Sequence, residues 1–224
     1  ARGDSLHQPG QHPEHIVLQK RQLLPVCQIA GNVWEEIQAG AFCPVCFELN
    51  FSRNHGDLPP LTLQEGGVTL SVSGKIDRVD GYIRGNTLYL KVVDYKTGKK
   101  EFRLSDVLYG LNLQMFLYLM MLKQSGPAAL DSFSGCGGVQ RTEPCGALYV
   151  PAKTPYLFRE QGETDEKFQS RLDQELRRIG LVRDDGDLLE AMEHGGRFRF
   201  LPVSLKKDGS FGERSSLVSA LQLN

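Results

Sequence analysis

The spacing of apolar residues divides the chain into helical and extended stretches. From Ile16 to Gly40, Ile29, Val33, Trp34 and Ile37 recur at helical spacing. This predicts a helix with that stripe, Trp34 included, in the core and Gly40 as its stop. Phe47 to Phe51 alternates and reads as a strand, and SRNHGDLPPLTL after it reads as a loop. Val68 to Ser73 alternates again. From Gly74 to Lys96, GKIDRVDGYIRGNTLYLKVVDYK reads as two strands joined at Arg84-Gly85-Asn86, where Gly and Asn tolerate positive φ. Leu104 to Lys123, with Ser105 as N-cap, predicts a helix apolar almost all round. Ser125 to Thr142 is Gly- and Ser-rich and reads as a loop, and Gly146 to Val150 as a short buried strand. Thr164 to Ile179 predicts an amphipathic helix whose arginines, Arg171, Arg177 and Arg178, form a solvated face. Gly195 to Leu205 suggests a last strand, Lys206 to Gly209 a turn, and no terminating element is evident before Asn224.

The hairpin carries the chemistry. Asp94 ends the apolar run Leu90 to Val93, and a carboxylate at the mouth of a buried strand costs free energy unless it is paired or bound to metal. Lys96, two residues on, leaves the same face of the strand. A hairpin brings Asp77 on the first strand near Asp94 on the second. Two acids and an amine suit a hard divalent cation with an activated water, whereas a lone Asp-x-Lys is more often a surface ion pair. On the long helix, Gln114 and Tyr118 lie one turn apart, polar groups in an apolar element that serve either buried backbone groups or a site.

Composition adds bounds. The chain has 224 residues, 40% hydrophobic and 24% charged, with a net charge of −1, which suits one globular domain and neither announces nor excludes a nucleic-acid partner. Residues 1–15 read as a disordered tail or a junction, and 16–224 as a single domain. There is no apolar run of membrane-spanning length and no signal peptide, so no membrane partner is expected. Five cysteines favour free thiols in a cytoplasmic protein. Cys43 and Cys46 have metal-ligand spacing but lack a second pair, and a zinc or redox role for them is the weakest reading. No Walker phosphate loop occurs, so ATP binding within this chain is not expected.

GKIDRVD, then VVDYKTG, then LYGLNLQMFLYL resemble the nuclease domain of the AddB-type subunits of AddAB helicase–nucleases, within the PD-(D/E)XK, RecB-like superfamily. Flanking GDLPPLTL, GALYVPAKTPYLF and LKKDGSFGERSSLV agree in kind. The resemblance implies an α/β fold, a central mixed sheet flanked by helices with a restriction-endonuclease-like core. It implies metal binding by Asp77, Asp94 and the carbonyl of Tyr95, a water-positioning Lys96, and a Gln-x-x-x-Tyr motif, Gln114 and Tyr118, beside the site. It further implies Mg²⁺ or Mn²⁺, single-stranded DNA as substrate, and an AddA-type partner subunit in break repair and recombination. The acid or histidine that the family places on an early helix has no clear match, with Glu35, Glu36 and Glu48 as candidates. The family's iron–sulfur cluster is not expected, since the downstream run of cysteines is absent and the chain reads as a fragment of a longer subunit. Arg78, Lys91, Lys99, Lys100 and Arg103 surround the motifs as candidate phosphate contacts. The alternative is a non-catalytic DNA-binding or assembly module that keeps the fold.

Overall fold

The computed structural model describes residues 13–98, 101–109, 112–134, 138–155, 157–213 and 215–223. Helix α1 (Pro13–Gln38) is followed by β1 (Cys43–Phe51), β2 (Leu61–Glu65), β3 (Val68–Val72), β4 (Gly74–Arg84) and β5 (Thr87–Lys96). Then come α2 (Leu104–Leu108), α3 (Gln114–Ser134), β6 (Arg141–Pro151), α4 (Asp165–Leu176), β7 (Ile179–Arg183), α5 (Gly186–Met192), β8 (Leu217–Val218) and α6 (Ala220–Leu223). Six strands form one sheet in the order β1-β4-β5-β6-β7-β8, while β2 and β3 form a separate hairpin. Pairing is antiparallel for β1–β4, β4–β5 and β6–β7, and parallel for β5–β6 and β7–β8, so the sheet is mixed as expected.

β5 lies inside the sheet, and Thr87 to Asp94 is buried without a break. Its period of two therefore separates two interiors rather than core from solvent. Leu88, Leu90 and Val92 pack with Met115, Leu119 and Leu122 of α3. Tyr89 belongs to the opposite cluster, with Leu148, Leu188 and Met192. The turn to β5 places Gly85 at φ 63°, while Asn86 keeps negative φ and its side chain donates to Gln140 Oε1 at 2.8 Å.

Several expectations need correction. Trp34 is 64% exposed, and among the described side chains of α1 the buried one is Glu36, at 6%. At about 100° per residue, Trp34 stands roughly 200° around the helix from Glu36. The helix expected over 104–123 is broken: α2 ends at Leu108 and α3 starts at Gln114, with Asn112 in left-handed backbone, φ 57°, between them. Arg103, not Ser105, is the N-cap of α2. Downstream, α3 runs through the expected loop to Ser134, kinked at Gly126 (φ 72°) before Pro127. Helical geometry is disfavoured for a residue before proline, and glycine accepts the alternative at little cost. Leu61–Glu65 is a strand where a loop was expected, and so is Ile179–Arg183 where a helix end was expected. The strand expected over Gly195 to Leu205 does not form, and the chain closes on β8 and α6. Residues 1–12 of the expected tail lie outside the described residues, and 13–15 already belong to α1.

Beneath β4 and β5, on the face that receives Glu36 of α1, lies a network of buried charges. Arg178 Nη2 sits 2.8 Å from Glu36 Oε2, and Arg78 Nη2 sits 3.2 Å from Oε1. Asp80 pairs with Arg78 at 2.9 Å and with Lys91 at 3.2 Å. Arg78 and Lys91 are 0% and 3% exposed, so neither is a phosphate contact, and Arg178 at 2% is no part of a solvated face. Two acids hold three cations here, and the network ties α1 to the sheet and to the start of β7. At the end of α1, Gly40 passes against α5, where a Cβ would lie 2.3 Å from the Met192 carbonyl oxygen.

Burial opposes the charge on Glu36, but Lys91, Arg178 and Arg78 outweigh it and bring its pKa from 4.5 down to about 2. A depressed folded-state pKa stabilises above the unfolded value and loses that stabilisation as pH falls through the folded one. Glu36→Gln should cost about 3–5 kcal/mol near neutral pH, because it strands buried cations. Urea denaturation should show the unsubstituted chain losing stability between pH 4.5 and about 2, and the variant changing less over that window. Parallel pH curves would remove Glu36 as the source.

Candidate active site where two strands part

The β4–β5 ladder ends at the pair Arg78 and Val93, although β5 continues beside β6 to Lys96 and Pro151. Beyond that point β4 veers off. Gly74 faces Phe51 and Tyr118, and Gly81 faces Val45 and Leu88, so positions seven apart look into the same core and the strict alternation of β4 is broken between them. Glu48 of β1, between the pairs Phe47–Arg78 and Leu49–Ile76, takes φ 55° at the same level. Such irregularities re-aim a side chain. Here it is Asp77, whose Oδ2 accepts the Tyr95 N–H at 2.8 Å in place of a ladder partner.

Asp77 is thereby brought against the Asp94–Tyr95 peptide. Asp94 is 3% exposed, and its Oδ2 lies 2.5 Å from Lys96 Nζ, whose side chain is 35% exposed. Tyr95 is held a second time: Arg78 Nη1 donates to its phenol oxygen at 2.8 Å from the buried side of the sheet. Consecutive residues of β4 thus grip the main chain and the side chain of one residue of β5.

Helix α3 closes the site. Gln114 Nε2 donates to Tyr118 Oη at 2.6 Å, and the Tyr118 ring packs edge-on against Phe51 at 5.6 Å. Gly74 permits this approach, since a Cβ there would lie 2.8 Å from Phe51. Burial raises the pKa of Tyr118. The Gln114 hydrogen bond lowers it, the nearby Asp94 and Asp77 raise it again, and Lys96 offsets them in part. The structure therefore brings Asp77, Asp94, Lys96, Gln114 and Tyr118 together.

Tyr149, which the sequence pattern marks only as part of a buried strand, also belongs here. It pairs with Asp94 across β5–β6, and Lys96 Nζ lies 5.8 Å from its ring centre. Burial first, then Asp94 and Tyr118, push its phenol up to about 12. Both phenols stay protonated near neutral pH and can donate hydrogen bonds, not accept protons. Only parallel pairing with β6 reveals Tyr149, and that pairing is invisible in a local pattern.

Each of the three early acids is engaged with a cation outside the pair, although Glu48 stands beside Asp77 in the β1–β4 register. Glu36 is committed to the buried network, and Glu35 pairs with Arg199 at 2.6 Å. Glu48 pairs with Lys75 at the surface. Among the described residues no group of three or more His, Cys, Asp or Glu is placed to hold a metal. Two carboxylates and a main-chain carbonyl are nonetheless a hard, all-oxygen donor set. Mg²⁺ is commonly held by one or two carboxylates with substrate phosphate and water completing its shell, so the residues present fit such an ion. Cys46 does not suit zinc, since burial, with Asp80 and Asp57, lifts its thiol to about 12. Cys43 is exposed. Of the other candidate phosphate contacts, Arg103 pairs with Glu101 at 3.5 Å, and Lys99 and Lys100 lie outside the described residues.

A family model described as the PD-(D/E)XK nuclease superfamily matches residues 4–205. The chain is also similar to bacterial proteins named as the B subunits of ATP-dependent helicase/deoxyribonucleases. That of Acetivibrio thermocellus is 34% identical over 200 residues, which is 87% of this chain and 17% of the relative. That of Thermoanaerobacter sp. is 29% identical over 216 residues, 96% of this chain and 18% of the relative. That of Clostridium botulinum is 34% identical over 194 residues, 84% of this chain and 16% of the relative. The chain thus spans less than a fifth of the length of these relatives.

Because the Asp77 carboxylate stands in for a ladder partner, Asp77→Ala should cost about 1–3 kcal/mol by leaving the Tyr95 N–H unpaired. Asp77→Asn keeps an acceptor oxygen and should cost less. Equal losses in chemical denaturation would show that the bond does not secure the strand.

Proposed function

This chain belongs to the PD-(D/E)XK nuclease superfamily, and from that premise we propose that Asp77, Asp94 and Lys96 form the hydrolytic centre of a metal-dependent deoxyribonuclease. The observation that carries the reading is the Asp77–Tyr95 hydrogen bond, which places two acids of different strands around one peptide unit beside an amine. Asp77, Asp94 and the Tyr95 carbonyl would hold the cation. Mg²⁺ or Mn²⁺, when bound there, would supply neutralisation of the scissile phosphate and a water of lowered pKa.

The chain's own groups do the rest. Asp94 holds Lys96 in place, and the partly exposed ammonium donates a hydrogen bond to the attacking water and opposes charge developing on the phosphate. Tyr118 accepts from Gln114 and turns its O–H toward the phosphate, while its ring and Phe51 limit solvent on that side. The Arg78–Tyr95 bond keeps the carbonyl ligand from turning.

Single-stranded DNA is the proposed substrate. The proposed setting is an ATP-dependent helicase–nuclease, in which this chain is the nuclease portion of an AddB-type subunit acting with an AddA-type partner in break repair. The relatives' names and the extent of their similarity support this.

With Mg²⁺ or Mn²⁺ the chain should degrade single-stranded DNA, and chelation should stop it. Asp94→Asn should abolish cleavage, and Lys96→Ala should lower kcat by about 10²-fold or more. Calorimetry should show a Mg²⁺ site that vanishes with Asp94→Asn. Cleavage that survives this substitution sinks the assignment, and a fold without carboxylate-dependent metal binding would be a scaffold instead.

A further inference from the structure

A cleft of about 300 Å³ opens at the C-terminal ends of β5 and β6, beside the last turn of α4. Its volume is at the lower end for small-ligand sites. Pro151 and Ile179 contribute apolar surface, while Lys96, Lys153 and Arg177 supply cations against the one acid of the lining, Glu175. Arg178 also lines it, but its guanidinium is bound to Glu36. Lys96 belongs both to this cleft and to the proposed hydrolytic centre, so the two are continuous.

Neither Lys153 nor Arg177 forms an ion pair among the described residues. Arg177 Nη2 donates to the Phe198 carbonyl at 3.1 Å, but its Nε is buried with no hydrogen-bond partner among the described residues. A buried cationic N–H without an acceptor is costly. Elsewhere this chain spends buried cations on carboxylates, as at Arg78, Lys91 and Arg178. The unmatched N–H of Arg177 and the exposed ammonium of Lys153, in a cleft that leads from Lys96, offer an anion from outside a place to bind.

We propose that this cleft binds the phosphodiester backbone of the substrate strand on one side of the scissile bond, with Lys153 and Arg177 as its phosphate contacts. The proposal rests on the nuclease reading for the identity of the anion. An acidic peptide would satisfy the same cations, but only a strand whose next phosphate lies at Asp77 and Asp94 accounts for the continuity through Lys96. The apolar surface of Pro151 and Ile179 suits the sugar and base edges of an unpaired nucleotide.

The test uses the full chain carrying Asp94→Asn, so that DNA is not cut, and a fluorescent oligothymidylate titrated by anisotropy at several KCl concentrations. Adding Lys153→Gln and Arg177→Gln should weaken binding about tenfold or more at low salt. It should also flatten the dependence of log K on log[KCl] by about 0.7 for each phosphate no longer neutralised. Lys206→Gln with Lys207→Gln, on an exposed turn, should change neither. If the Arg177 variant melts early, Lys153→Gln alone, on an exposed side chain, should still flatten the slope by about 0.7. The proposal is overturned if the double variant matches its parent, if the parent binds no oligothymidylate, or if polyglutamate of equal charge displaces the oligonucleotide as well as unlabelled DNA does. Cleavage by the chain with Asp94 intact is scored separately. Asp94-dependent cleavage with unaltered binding in the double variant leaves the nuclease and removes the cleft. Weakened binding without metal-dependent cleavage does the reverse.

Discussion

Where β4 leaves β5, the Tyr95 N–H is met by the Asp77 carboxylate instead of a carbonyl, and the whole candidate site follows from that substitution. A regular ladder would have continued past Arg78 and Val93 and used up the main-chain groups of both strands. By parting, the strands open a gap at one end of the sheet, between two of its inner strands, and the carboxylate satisfies the amide that the gap exposes. A buried N–H without a partner costs about as much as a lost hydrogen bond, so the acid has a structural reason to be where it is. That bond then fixes the distance between the two aspartates. The same residue that the fold needs is the one the proposed chemistry needs.

The second constraint lies under the sheet. Arg78, adjacent to Asp77, points the other way into a cluster with Glu36, Asp80, Lys91 and Arg178. It also donates to the Tyr95 phenol, so the cluster and the site share a strut. Buried ion pairs are poor sources of net stability, because desolvation offsets most of their attraction. What they supply here is geometry: Glu36 seats α1 among cations from β4, β5 and the start of β7, and so relates those elements to one another. Trp34 is on the outside for this reason, despite being the largest apolar residue of its helix.

This is also where reading the chain residue by residue succeeds and fails. The hairpin, its two acids and the lysine were legible, because they depend on local spacing, two residues along a strand. The four-residue spacing of Gln114 and Tyr118 left their role open, and only the resemblance to RecB-like nucleases drew them to the site. Arg78 and Lys91 were not legible. On a strand buried on both faces, alternation tells which side a residue takes but not whether that side is water, and both cations read as surface charges. The break between α2 and α3 turns on the left-handed backbone of Asn112, which apolar spacing does not register. The extension of α3 to Ser134 survives Gly126 and Pro127 because a kink, rather than a stop, keeps Leu130 in the core. β7 and β8 are too short to show a period, and only their neighbours in the sheet define them.

The charge balance can be argued in the same terms. A net charge of −1 says little about a polyanion partner, because it counts buried and exposed groups alike. Three of the cations nearest the motifs, Arg78, Lys91 and Arg178, are cancelled inside the protein by Glu36 and Asp80 and offer nothing to a phosphate. Lys153 and Arg177 have no such acid partner among the described residues and stand in one cleft with Lys96. On the nuclease reading, each of these cations that neutralises a phosphate adds its share to the salt dependence of the hold on the strand. Positioning at the hydrolytic centre then depends on the Asp77, Asp94 and Tyr95 geometry rather than on the strength of the hold.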